Sequence, residues 1–253
     1  AAVSNAGGLG MIGAGYMTPE KLAADIQKIR ELTSKPFGVN LFVPEHPAVI
    51  QEEIDRANQL LEPIRQMLGI AKKQEVPEID TSVFDEMIQI VLKYEVPVCS
   101  FTFGIPGSET IRQLKKRGIV TIGTATTVKE AVMNEEAGMD MVVVQGSEAG
   151  GHRGSFAEPF DQSMIGNLAL IPQAADHVSI PIIAAGGIMD GRGVFASLIL
   201  GAQAVQMGTA FVACKESGAH ERHKQAILNA SEEQAVITSA FSGKPARGLI
   251  NEF

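Results

Sequence analysis

The sequence predicts a (β/α)8 barrel, and three observations predict it. Short apolar runs alternate with amphipathic, charged runs along the chain, the pattern of a parallel sheet with helical crossovers. The strand-like runs are apolar almost throughout, as in Met141-Val-Val-Val144 and Ile180-Pro-Ile-Ile-Ala-Ala185, which calls for cover on both faces of the sheet. The 253 residues also match the length of one such barrel.

Taken in order, residues 1–8 read as the end of a helix, stopped by Asn5 and Gly7-Gly8. Residues 9–12 form the first apolar run. Thr18 is placed to cap a helix with Pro19 at its first position, and that helix reaches about residue 32. Residues 37–43 read as a strand. Residues 44–94 read as a mostly helical excursion, broken near Gly69 and Pro77, with His46 in a turn. Strands follow at 96–103, 119–123, 141–144, 180–185 and 204–207, with helices at 108–116, 128–137 and 191–200. That makes seven strands, one short of a closed barrel. The helix end at the start of the chain leads to the expectation that a first strand lies upstream, and that the C-terminal part is also cut short. The expected organisation is a barrel over residues 1–211 lacking its first strand, then the start of a smaller, mostly helical region over 212–253.

The formal net charge is −8, which repels a polyphosphate backbone and argues against nucleic acid as a partner. Lys115-Lys116-Arg117 reads as the solvated end of a helix, where cations suit the dipole. No apolar run approaches the ~18 residues of a membrane span, and no basic-then-apolar leader is visible. Two distant cysteines, Cys99 and Cys214, do not make a disulfide framework. A cytoplasmic setting is expected.

Three features carry chemistry. The first is Gln145-Gly-Ser-Glu-Ala-Gly-Gly-His152-Arg-Gly-Ser-Phe156, directly after a strand, at the end where barrel enzymes keep their active sites. Its glycines, Gly150 and Gly151 among them, let backbone approach a ligand closely. His152 can exchange a proton near neutral pH. The second is the pair of turns Ala185-Gly186-Gly187-Ile188 and Gln206-Met207-Gly208-Thr209, each after a strand. Counting one strand upstream, these follow strands seven and eight, where barrels build phosphate sites. Glycine N–H groups and the Thr209 hydroxyl suit a phosphate dianion. The third is Asn40, an amide inside an apolar strand, which must find partners from backbone or from a flavin or nicotinamide ring. His220 and His223 have helical spacing on a polar face and lack the further ligands of a metal site. His177 falls in a loop before a strand.

Gly146-Ser-Glu-Ala-Gly-Gly-His-Arg-Gly-Ser-Phe156 resembles the signature of nitronate monooxygenases, formerly called 2-nitropropane dioxygenases. The similarity extends through Ser4-Asn-Ala-Gly-Gly-Leu-Gly-Met-Ile-Gly13, Gly38-Val-Asn40, Ala184-Ala-Gly-Gly187-Ile, Gln206-Met-Gly-Thr209 and Arg247-Gly-Leu, in order along the chain. The resemblance implies a barrel that binds FMN through Gln145, Gly150, Gly151, Gly186, Gly187, Gln206, Met207, Gly208 and Thr209, with Asn40 near its ring and His152 in the active site. It implies oxidation of an alkyl nitronate with O2 to a carbonyl compound and nitrite. His152 would act there as a base on the neutral nitroalkane or as an imidazolium holding the anion, and both remain open. The related flavin-dependent enoyl-ACP reductases share Glu-Ala-Gly-Gly-His, so an NAD(P)H-dependent flavin reductase is the alternative enzyme. A non-catalytic flavin-binding barrel is the alternative of another class.

Overall fold

The computed structural model describes residues 1–45, 50–70 and 81–251; the expected turn at His46 and the break at Pro77 lie outside them. A single helical turn, α1 (Ala2–Asn5), leads into β1 (Gly10–Gly13). Thr18 caps α2 (Pro19–Leu32), its hydroxyl accepting from the Lys21 N–H at 3.3 Å. Fixing that donor offsets one of the bare N–H groups of the first turn. One face of α2 buries Leu22 and Ile26 completely, each contributing roughly 1.5–3 kcal/mol. β2 (Phe37–Phe42) follows, then α3 (Gln51–Leu68), closed by Gly69 at φ 66°. α4 (Ser82–Lys93) turns Met87, Ile88 and Val91 inward.

The remaining units repeat one pattern: β3 (Val98–Thr102), α5 (Ser108–Lys116), β4 (Val120–Ala125), α6 (Val128–Glu136), β5 (Met141–Gln145), a two-residue strand β6 (Gly151–His152), α7 (Asn167–His177), β7 (Ile182–Ala185), α8 (Gly191–Ile199) and β8 (Ala204–Gln206). The chain continues through α9 (Thr209–Val212), α10 (Glu221–Asn229), β9 (Ala235–Thr238) and β10 (Ala246–Leu249).

Seven strands pair in parallel, in the order β1-β2-β3-β4-β5-β7-β8, and the sheet curls. They are the seven runs the apolar pattern marks. Alternation along the strands splits the core. Val39, Leu41, Cys99 and Phe101 face outward onto the helices with Leu22, Ile26 and Val91. Val142, Val144 and Ala184 do the same against Leu170, Ile171 and Ala174. Val98, Ile122, Val143 and Ala185 form a separate cluster from the alternate positions. Burial on both sides explains why these strands are apolar throughout.

A second sheet, antiparallel, has the order β6-β10-β9. Reading residues 212–253 as mostly helical omits β9 and β10. Their residues are half-buried apart from exposed Ile237, and their runs are only four long, so no period stands out.

Gly123 shows how closely helix and sheet approach. A Cβ there would lie 1.7 Å from Oδ1 of buried Asn134 on α6. The Asn134 amide is held by the Glu130 and Thr124 carbonyls at 2.8 and 3.3 Å and cannot swing away. Gly123→Ala is therefore expected to lose about 1–3 kcal/mol, seen as a lower urea midpoint. An unchanged midpoint would show that β4 and α6 separate freely.

Candidate active site

Strand register sets the site. Gln145 pairs with Ala185 and Ala185 with Gln206, so the turns after β5, β7 and β8 leave the sheet at one level. The turns then touch. A Cβ on Gly150 would lie 2.7 Å from the Thr209 hydroxyl, and one on Gly186 would lie 2.9 Å from the Ala149 nitrogen. Gly186 and Gly187 also have φ of 110° and 67°, which exclude most side chains. Glu148 accepts from the Asn167 N–H at 2.9 Å, and the Asn167 amide donates to the Gly186 carbonyl at 2.6 Å. The carboxylate thus ties the β5 turn to the start of α7 and to the β7 turn, with the sign the helix dipole favours.

Of the residues singled out in the sequence, Gly150, Gly151, Gly186, Gly187, Gln206, Gly208 and Thr209 fall on these converging turns. Nothing stands within 4 Å of where a Gly208 Cβ would be. Met207 packs into the helix-side core, which leaves its backbone for the turn. Gln145 braces the loop itself: its Nε2 donates to the His152 carbonyl at 3.1 Å and its Oε1 accepts from the Gly154 N–H at 2.9 Å. Asn40 sits across the sheet on β2. Its Oδ1 accepts from the Ser100 hydroxyl at 2.8 Å and the Thr102 hydroxyl at 3.2 Å. Two hydroxyl donors fix the amide orientation and leave Nδ2, which has no hydrogen bond among the described residues, as a presented donor.

His152 lies where the two sheets meet. It follows the β5 turn and pairs with Ala246 of β10. Its Nε2 is 2.6 Å from the Ser242 hydroxyl. Phe103 stands edge-on to the imidazole at 5.9 Å between ring centroids, and Tyr16 lies at 6.5 Å. Phe42 joins both rings, at 4.8 Å from Phe103 and 5.3 Å from Tyr16. Phe103 holds φ 69°, a costly conformation for a bulky residue. Lys244 Nζ rests 4.8 Å over the Phe103 ring and pairs with Glu45 at 2.5 Å. Burial, and then repulsion from Lys244, pull the His152 pKa below its usual value near 6.5. That shift favours the neutral ring, the form that accepts a proton, and an aromatic wall stands beside it.

Behind the loop, Glu130 is fully buried on α6. Its Oε1 accepts from the Phe156 and Ala157 N–H groups at 2.7 and 2.9 Å, and its Oε2 from the Thr126 N–H and hydroxyl at 2.6 and 2.7 Å. Sequence reasoning passed over this residue, because a Glu three positions after Thr127 reads as an ordinary helix start. It also passed over Ser242 and Lys244. No local signal marks them, since only the pairing of β6 with β10 brings them to His152.

A curled parallel sheet whose strand ends carry a histidine and converging glycine turns has the form of a barrel enzyme, with the candidate site at the end where such enzymes keep theirs. The chain belongs to the nitronate monooxygenase family, whose model matches residues 1–253. Members of that family are in general flavin-dependent. A probable nitronate monooxygenase of Staphylococcus haemolyticus is 57% identical over 258 residues, covering all of this chain and 71% of that protein. One from Staphylococcus aureus is 52% identical over 254 residues, with the same coverage. Among solved structures, nitroalkane oxidase from Streptomyces ansochromogenes superposes with a TM-score of 0.88 at 40% identity, over 99% of this chain and 72% of that one. FabK from Thermotoga maritima gives 0.75 at 37%, over 98% and 65%. No described helix is long and apolar enough to cross a membrane.

Proposed function

We propose that this chain is an FMN-dependent nitronate monooxygenase that converts alkyl nitronates and O2 to carbonyl compounds and nitrite. The observation that carries the reading is His152 set edge-on to Phe103, next to turns that can take a phosphate. We assign residues 1–211 to the flavin-binding barrel, and to residues 212–253 the delivery of Ser242 and Lys244 to His152. Gly150, Gly151, Gly186, Gly187, Gln206, Met207, Gly208 and Thr209 would hold the phosphate end of FMN, largely through backbone. The Asn40 Nδ2 would donate to its ring system. Gln145 would act by bracing the loop. Gly208 supports the fit, because the space beside it is open.

Bound there, FMN supplies the electron and oxygen chemistry. The protein's part is to seat the reacting carbon, exclude water and move one proton. With its pKa lowered, His152 is suited to take the α-proton of a neutral nitroalkane, and Ser242 holds the ring in place. An imidazolium that binds the anion is the weaker role, since Lys244 already disfavours a second cation.

Two measurements test the proposal. Anaerobic mixing with a nitronate is expected to bleach the flavin rapidly, and mixing with NADH slowly. Fast bleaching by NADH and none by nitronate would replace this reading with the reductase one. No change with either would leave a flavin-binding barrel. Separately, Gly208→Val, which meets no protein atom at its Cβ and has no left-handed φ, is expected to fold and to lose most of its flavin. Full flavin content in folded Gly208→Val would remove the phosphate from that turn.

A further inference from the structure

Arg153, the residue after His152, is only 8% exposed. Burying a guanidinium is costly, and an apolar side chain of similar volume often serves stability as well. What the guanidinium touches accounts for it. Its Nη1 donates to the Gln145 carbonyl at the end of β5, and its Nη2 to the Thr126 carbonyl at 3.3 Å, just past β4, and to the Ser163 carbonyl. One planar fork thus holds three separate stretches of backbone, which the point charge of a lysine cannot copy. Burial draws the Arg153 pKa down to about 10; Glu130 and Glu148 oppose this, Arg247 adds to it, and the fork stays charged at neutral pH.

The backbone around Arg153 is held as well. Its N–H donates to the Pro245 carbonyl at 3.0 Å, which extends the pairing of β6 with β10 by one residue. The Gln145 side chain grips the His152 carbonyl before it and the Gly154 N–H after it. Arg153 therefore joins the two sheets, its main chain to the β9–β10 hairpin and its side chain to the strand ends of the parallel sheet. Along a strand, successive side chains leave on opposite faces. With Arg153 anchored among Thr126, Gln145 and Ser163, His152 is turned the other way, toward Ser242, Phe103 and Tyr16.

We propose that Arg153 is the positioning residue of this site, its buried guanidinium fixing the side on which His152 presents its imidazole to Ser242. The consequence for the rate rests on the proposed role of His152 as base. The consequence for the ring itself does not.

The experiment compares the flavin-loaded wild type with Arg153→Met and Arg153→Lys. The first readout is the NMR titration of the His152 ring, its signal identified as the one missing from His152→Asn. In the wild type that pKa lies below the ordinary value near 6.5, through burial and then Lys244. A ring released from its seat is expected to titrate closer to the ordinary value in Arg153→Met, with Arg153→Lys in between. The second readout is kcat/KM for a neutral nitroalkane and for its nitronate. The nitroalkane value is expected to fall roughly 10²-fold in Arg153→Met, the worth of a misplacement of about 1 Å, and the nitronate value far less. A residue that only holds the fold together would lower the Tm and move neither readout. A wild-type titration and a wild-type ratio of the two rates in Arg153→Met would overturn the proposal; should that variant not fold, the same result in Arg153→Lys would overturn it. A wild type that oxidises neither substrate would instead remove the proposed function, and the titration would still decide the role of Arg153.

Discussion

Replacing His152 by Asn is expected to cut kcat/KM for a neutral nitroalkane by roughly 10²–10⁴-fold, the usual worth of a positioned general base. It should cost far less with the preformed nitronate, which has no proton left to lose. The two substrate forms must be prepared separately, because they interconvert slowly. The pH profile adds a signed expectation. A base works in its neutral form, and burial together with Lys244 lowers the His152 pKa. In the wild type, activity on the nitroalkane should therefore persist as pH falls past the ordinary histidine value near 6.5, and fail only below the lowered pKa. Lys244→Gln removes the smaller of the two causes and should move that acid limb upward. Flavin-replete wild type and His152→Asn showing equal rates on both substrates from about pH 6 to pH 9 would remove His152 from the chemistry.

Glu130→Leu is expected to be the most damaging change away from the ligand. It strips the acceptor from the backbone N–H groups of Thr126, Phe156 and Ala157 and from the Thr126 hydroxyl, at a fully buried position. At about 1–3 kcal/mol for each orphaned donor, the three N–H groups alone imply a loss of about 3 kcal/mol or more. That is a large part of the ~5–15 kcal/mol that holds a domain folded. Urea unfolding measures it, and Glu130→Gln, which keeps one acceptor oxygen, should lie between Leu and wild type. A loss below about 1 kcal/mol for the Leu variant would mean that water replaces the carboxylate.

The parallel sheet was legible because its signal is local and repeated. Each strand is a short apolar run bounded by punctuation, and Thr18-Pro19 marks a helix start by chemistry alone. The helix α7 was not read, since Pro172 lies inside it and the residue at its N-cap is Gly166. The glycine turns were legible as a set. The structure adds that Gly186 and Gly187 are already required by positive φ and by contact with Ala149 and Glu148, so their presence alone says less about a ligand than the open side of Gly208. The surroundings of His152 were the least legible. Tyr16, Phe103 and the pair Ser242 and Lys244 come from three distant places in the chain, and only the closing of two sheets on each other brings them to one ring.

The strand that carries His152 joins its neighbour through two residue pairs, His152 with Ala246 and Gly151 with Arg247. The β9–β10 hairpin can therefore lift from the histidine without unzipping any rung of the parallel sheet. Were substrate and product to pass on this side, a brief local loosening would suffice, far cheaper than opening the domain. The pace of turnover would follow the lifetime of those few contacts, and a change that tightens the hairpin would slow release even where it leaves the proton transfer untouched.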